Sequence, residues 1–381
     1  TRRTTQVVPR VRIPLSPPNW YMGKFFNAYH IGGRAGSVSF KCNSNLKYLI
    51  QEYIFEADKE CEEMIKIKKP KAKVFSYCLD KKNGTREFYL NKNRYTSSFL
   101  KPIKDNLNFY QSINKKNMLL ADACSPEKKI KLETFSLDYL LGEKKIEPID
   151  YMSLDTQGSE LDIIKGGINS IKKNIIALEL EVSLIDFYEN GSNFFEINKF
   201  LNENNFHLYN LEPLYTDFKY NIPNVTIRNK FPSQAEALYI LNKDTITDNT
   251  RLEKLGFFSL LYGYTDVAFS SLKFLKEQNY KFFEDRYYLN FIEEFYKLVS
   301  DEDKNNENNM NNNIYDYSKE VSNVDKILRK FPDYYKYGLL RKIITRFFYD
   351  REYLRSKLVS FFNKDSKKSI KIESFFKKYD I

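Results

Sequence analysis

From Phe26 onward, short apolar runs of strand length alternate with amphipathic stretches of helical length, and this alternation leaves few architectures open. Asn27 to Ile31 reads as a strand running into Gly32-Gly33-Arg34-Ala35-Gly36, and Tyr53-Ile54-Phe55 as a second strand ending in Glu56. Between Asp58 and Lys68, Cys61, Met64, Ile65 and Lys68 fall at helical spacing. Lys73 to Leu79 reads as one strand, and Asn83-Gly84 as a turn into the β-rich Thr85 to Leu90. Further on, Ile149 to Leu154 is a strand ending at Asp155, Gln157-Gly158 turns the chain, and Ser159 is a good helix N-cap. The helix that follows carries Leu161, Ile164, Ile168 and Ile171 on one stripe. A strand over Ile175 to Val182, a helix over Phe194 to Asn202, and strands over His207 to Leu211 and Ala235 to Leu241 complete the alternation. Strands separated by helices of this length predict an α/β fold, its sheet largely parallel with helices on both faces.

In such a sheet, ligands bind at the carboxyl ends of the strands. Glycines at 32, 33 and 36 directly after a strand let the backbone approach a ligand closely. Glu56 closes the next strand, about twenty residues on, where a carboxylate accepts hydrogen bonds from both ribose hydroxyls of an adenosine ligand. Without a ligand it is a solvated strand-end residue. Asp155 closes another central strand. Glu179 and Glu181 alternate with Leu178, Leu180 and Val182, and two carboxylates on one face of an apolar strand are costly unless solvated or paired. Glu181, nearer the carboxyl end, is the site candidate of the two, and Glu179 reads as a salt-bridge or capping residue.

Other classes are disfavoured. Cys42, Cys61, Cys78 and Cys124 stand far apart, His30 and His207 are the two histidines, and no metal-ligand spacing emerges. Scattered thiols fit a reducing cytoplasm, and no run approaches the ~20 apolar residues of a membrane span. The net charge of +11 invites a nucleic-acid or anionic-membrane reading, but Lys is abundant together with Asn, Tyr, Phe and Ile along the chain, as in a general compositional bias. Residues 1–18 differ: Arg2, Arg3, Arg10 and Arg12 occur without Lys, and Pro14, Pro17 and Pro18 without helical period, so they are expected to be an unstructured leader, translated from upstream of the true start. A nucleic-acid-binding arm is the alternative. After residue 245 the pattern becomes helical, over Leu255 to Leu261, Val267 to Leu275, Tyr287 to Val299, Lys326 to Lys330 and Leu339 to Phe362. An Asn-rich linker interrupts it near 303–313, and from Tyr315 onward 17 Lys and Arg stand against 9 Asp and Glu.

The block from Ile149 to Gly167, IDYMSLDTQGSELDIIKGG, resembles the signature of FkbM-type methyltransferases. Other blocks agree in order: Phe55-Glu56-Ala57-Asp58, Asn83-Gly84-Thr85 to Leu90, Ser97-Ser98-Phe99-Leu100 and Phe135-Ser136-Leu137-Asp138. The resemblance covers about Asn27 to Leu241. It implies a class I methyltransferase, Rossmann-like sheet of seven strands, the last one antiparallel, spanning 19–244 and followed by a C-terminal helical extension over 245–381. It implies S-adenosylmethionine as cofactor, held by Gly32, Gly33, Gly36, Glu56 and, on the adenine side, Asp80. The implied activity is O-methylation of a hydroxyl, with a sugar, glycan or related metabolite as the expected acceptor. Asp155 is the expected catalytic residue, with Glu181 or Glu160 as a second carboxylate that raises its basicity; no metal is required. His30 stands where the family's first strand usually carries Asp, and an imidazole keeps a hydrogen bond but not the charge. Two rivals stay open: a non-catalytic binding or scaffold protein on a degenerate methyltransferase fold, and a nucleic-acid methyltransferase, which lacks the Asn/Asp-Pro-Pro-aromatic motif usual for methylation of base amino groups. The basic tail suits an anionic acceptor, a membrane surface or self-association.

Overall fold

The computed structural model describes residues 24–32, 45–110, 118–216, 231–293 and 295–296. Among them, ten strands form two sheets: β1 (Phe26–Ile31), β2 (Ile50–Phe55), β3 (Lys73–Phe75), β4 (Cys78–Leu79), β5 (Gly84–Asn91), β6 (Pro126–Phe135), β7 (Tyr151–Leu154), β8 (Ala177–Ser183), β9 (Phe206–Thr216) and β10 (Phe231–Leu241). The main sheet has the order β3-β2-β1-β7-β8-β10-β9. Its first five strands pair in parallel, while β10 runs antiparallel to both β8 and β9. The sheet has the seven strands expected from the sequence, with β10 antiparallel to its neighbours. The chain leaves β1 toward β2 and β3, then returns to β7 on the other side. That reversal opens a crevice at the carboxyl ends of β1 and β7.

The strands are apolar because both faces are covered. Phe26 and Ala28 of β1, Tyr151 of β7, Ala177 of β8 and Leu238 and Ile240 of β10 point to one face; Tyr29, Ile31, Met152, Leu154, Leu178, Leu180, Ala237 and Tyr239 point to the other. The helices are α1 (Lys59–Lys68), α2 (Lys104–Leu107), α3 (Leu120–Ala123), α4 (Leu137–Gly142), α5 (Glu160–Gly166), α6 (Ile168–Lys173), α7 (Phe194–Glu203), α8 (Asn249–Tyr262) and α9 (Thr265–Glu277). Helices α4 to α7 cover the second face, through Leu137, Ile164, Ile171 and Ile197 among others. The first face is covered by α8, α9 and the helical residues 286–293, so the described part of the 245–381 stretch shares a core with the sheet. Phe257 and Phe258 lie 5.5 and 6.4 Å from Phe26, ring centre to ring centre.

An ion pair locks this cover. Lys254 Nζ of α8 lies 2.9 Å from both carboxylate oxygens of Asp150, and Asp150 also accepts the Asn27 N–H at 2.8 Å. Burial pushes the Asp150 carboxyl up, and Lys254 opposes the shift. Lys254→Ala strands that carboxylate, and a loss of about 1–3 kcal/mol is expected in urea unfolding near pH 7. A stranded acid is relieved by protonation, so the loss shrinks as pH falls; equal loss at all pH values sinks this account.

Two local expectations are corrected. The run from Lys73 to Leu79 is divided: β3 ends at Phe75, and β4 joins a separate three-stranded sheet of order β4-β6-β5. The single helix expected after Ser159 is two, α5 and α6, meeting at Gly166-Gly167. A Cβ at Gly166 would lie 2.4 Å from the Asp80 carbonyl oxygen, and one at Gly167 2.6 Å from Leu137 Cδ2. The glycines let α4 and the end of β4 pack against the helix junction. Beyond the small sheet, Leu100, Leu107, Tyr110, Leu120, Cys124, Phe187 and Tyr188 form a third apolar cluster. The leader, the Asn-rich linker and the basic helices of the tail lie outside the described residues. No helix among the described residues is long and apolar enough to cross a membrane.

Candidate active site

Three strand ends meet at the crevice. Asp155 N donates to Ile31 O at 3.0 Å, Gly32 N to Phe55 O at 3.2 Å, and Glu56 N to Phe75 O at 3.0 Å. Gly32 turns the chain with φ +93°, and a Cβ there would stand 1.9 Å from the Asp155 carbonyl oxygen. Glycine is therefore required by both conformation and space. Gly33 and Gly36 lie outside the described residues. Glu56 is buried at the end of β2, and its Oε1 accepts the Asp58 N–H at 2.8 Å.

The two-residue period of a strand puts Ser153, Asp155, Glu179 and Glu181 on the face covered by α8, with Glu236 of β10 paired in register with Glu181. Gln157 Nε2 donates to Asp155 Oδ1 at 2.8 Å and reaches Glu181 Oε1 at 3.3 Å, which Gln234 Nε2 also contacts. Glu160 turns back on its own loop: Oε1 accepts from Thr156 N (2.9 Å), Thr156 Oγ1 (3.1 Å) and Gly158 N (3.2 Å). Asp155, Glu160 and Glu181 thus gather at one edge.

Burial raises all three. It lifts Asp155 above the usual carboxylate range against the Gln157 hydrogen bond, with Glu236 adding to the rise. It pushes Glu160 up to about 7 against the backbone donors, with Asp155 raising it further. Glu181 is driven well up by burial and then by Asp155, Glu160 and Glu236. Like charges this close resist simultaneous ionisation, so the edge retains protons at pH values where free carboxylates have none. A carboxylate whose proton affinity is raised toward neutrality can, once ionised, take a proton from a hydroxyl.

Three residues occupy different settings. Glu179 accepts from Tyr151 Oη at 2.6 Å and Tyr262 Oη at 3.3 Å, deep on the helix-covered face. His30 Nδ1 lies 2.7 Å from Ser153 Oγ, one strand away. Asp80 closes β4 of the small sheet, and its Oδ1 pairs with Arg86 Nη1 at 2.6 Å. Arg86 in turn lies over the Phe99 ring at 5.0 Å. Among the described residues, no group of three or more His, Cys, Asp or Glu is arranged to hold a metal ion.

Reading the sequence missed Gln157, Tyr188, Ser98 and Gln234 as site residues. Gln157 was visible as a turn residue, and its φ of +57° agrees with that, but its side-chain contacts come from elsewhere in the chain.

Residues 28–208 match the family model described as methyltransferase FkbM domain. A search of curated proteins returns no match. Among solved structures, the chain resembles methyltransferase FkbM from Methylobacillus flagellatus KT at 10% identity, over 58% of this chain and 45% of that one, with a TM-score of 0.30. It also resembles precorrin-6y C5,15-methyltransferase from Geobacter metallireducens GS-15 at 9% identity, over 57% and 81%, with a TM-score of 0.29. Overlaps this loose carry no inference about the chemistry of this chain.

Proposed function

We propose that the chain, whose residues 28–208 match the family model described as methyltransferase FkbM domain, transfers a methyl group from S-adenosylmethionine to a hydroxyl of a sugar, glycan or related metabolite. The observation that carries the proposal is the cluster of carboxylates Asp155, Glu160 and Glu181 tied together by the 156–158 turn at the carboxyl ends of β7 and β8. The cofactor fits the residues present: Gly32 turns without a side chain at that edge, and the buried Glu56 carboxylate ends the neighbouring strand. When bound, S-adenosylmethionine supplies an electrophilic methyl group.

The chain's own residues do the rest. Glu56 would accept hydrogen bonds from the ribose hydroxyls, and Gly32 would leave the edge open to close approach. Asp80, whose carboxylate is paired to Arg86, would flank the adenine. Asp155 accepts the proton of the acceptor hydroxyl, and burial together with the charge of Glu236 keeps Asp155 basic enough for the task. Alignment of the hydroxyl supplies much of the remaining rate. An edge rich in carboxylates and in Gln157 and Gln234 amides suits a neutral polyhydroxyl acceptor over an anionic one.

Glu56→Ala tests the cofactor side. A lost charge-assisted hydrogen bond of this kind is worth about 1.5–3 kcal/mol, so affinity for S-adenosylmethionine should fall roughly ten- to a hundredfold by calorimetry. Unchanged affinity removes Glu56 from the site. For the acceptor, donor consumption is compared across neutral glycans, acidic glycans and RNA, and turnover confined to RNA refutes the glycan assignment.

A further inference from the structure

The acidic edge and the small-sheet lobe meet at one side chain. Gln157 sits in the left-handed region, with φ +57°, followed by Gly158 at φ +97°. Its carbonyl oxygen accepts from Ser98 Oγ at 2.7 Å, and Ser98 is fully buried. Its side-chain Oε1 accepts from Tyr188 Oη at 3.1 Å. Tyr188 belongs to the third apolar cluster, and burial holds its hydroxyl protonated, hence a donor. With the amide oxygen committed to Tyr188, the amide nitrogen turns toward Asp155 and Glu181, donating to Asp155 Oδ1 at 2.8 Å and reaching Glu181 Oε1 at 3.3 Å. A flipped amide would set its oxygen against two carboxylates and leave the Tyr188 hydroxyl facing an NH2 group.

We propose that Gln157 is a positioning residue for methyl transfer, its amide aimed by Tyr188 so that Asp155 and Glu181 are held as one hydrogen-bonded unit. The inference rests on the methyltransferase reading above and deepens it. Ser98 and Tyr188 come from chain segments on either side of the signature block, so the packing of the lobe sets the geometry of the edge. The ionisable groups facing the unit are Glu160 from α5, Glu236 from β10, and, through Tyr188, Cys124.

Three variants of the full chain test it: Gln157→Glu, Gln157→Leu and Tyr188→Phe. The amide donors favour the ionised carboxylates, and a third carboxylate disfavours them. In Gln157→Glu the acid limb of the rate profile should therefore move upward by about one pH unit, with activity recovering at higher pH. Tyr188→Phe frees the amide to flip and should lower kcat about tenfold, with KM for the acceptor within about twofold. A residue that merely supports the fold lowers activity equally at all pH values.

A second readout needs no activity. Asp155 and Glu181 have folded-state pKa values above the ordinary carboxylate range. Their contribution to stability is full below that range and is lost as pH rises through the folded values. Removing the amide raises those values further. The gap in urea midpoint between Gln157→Leu and the parent chain should be smallest near pH 5 and widen toward about pH 8.5. Parallel curves overturn the inference. A parent chain that binds no S-adenosylmethionine overturns the methyltransferase reading instead, and the stability curves still judge the role of Gln157 at the acidic pair.

Discussion

Asp155→Asn should slow methyl transfer by about a hundredfold or more while leaving S-adenosylmethionine affinity within about threefold. Asn keeps the shape of Asp and most of its hydrogen bonding, but neither its basicity nor its charge. A free Asp, with a pKa of ~3.9, is a weak base near neutrality. Here burial raises it, with Glu236 helping and Gln157 opposing. The base must be ionised to act, so the rate of the parent chain rises with pH through the raised value and then levels. The Asn variant should lack that rise. Calorimetry and single-turnover transfer on one preparation separate the outcomes. If affinity falls along with rate, Asp155 orients the cofactor's positive end; if both survive, it is a strand-end residue and Glu181 is next to test.

Gly32→Ala should cost about 3–5 kcal/mol of stability, combining left-handed backbone strain with a clash that no rotamer relieves. The atom struck is the Asp155 carbonyl oxygen, 1.9 Å from the new Cβ. Its strand is fixed between β1 and β8, so β1 and β7 must separate. Urea unfolding measures the cost. A loss under about 1 kcal/mol would mean that the turn after β1 relaxes freely.

The strands of the main sheet were legible because burial on both faces leaves uninterrupted apolar runs, as in Ile149 to Leu154 and Ile175 to Val182. Of the small sheet, β5 was legible as the β-rich run after Asn83-Gly84, but β6 was not. β6 reads PEKKIKLETF, and most of it is exposed, so it lacks an apolar signature and was missed. The division of Lys73 to Leu79 was equally hidden, because apolar residues continue through a stretch that changes sheets. Gly32, Glu56, Asp155 and Glu181 stood out because the ends of parallel strands must converge on one edge. The partnership of Asp80 with Arg86 was not legible: it depends on how β4 and β5 fold over one another, and no spacing encodes it. Gln157, Ser98 and Tyr188 escaped for the same reason, each being an ordinary loop residue until the lobe brings them together.

The covering of Phe26 by Phe257 and Phe258 bears on how the chain is made. Strand β1 is sealed by a helix that comes more than two hundred residues later. At about 5–20 residues per second, the apolar side of β1 waits roughly 10–45 s for its partner. The nascent chain must be kept from sticking to itself or its neighbours for that interval. Release at residue 208, where the family match ends, would free a polypeptide with the face around Phe26, Tyr151 and Ala177 bare and β10 absent from the sheet. Such a fragment should be retained by chaperones or degraded, whatever residues its catalytic edge still carries.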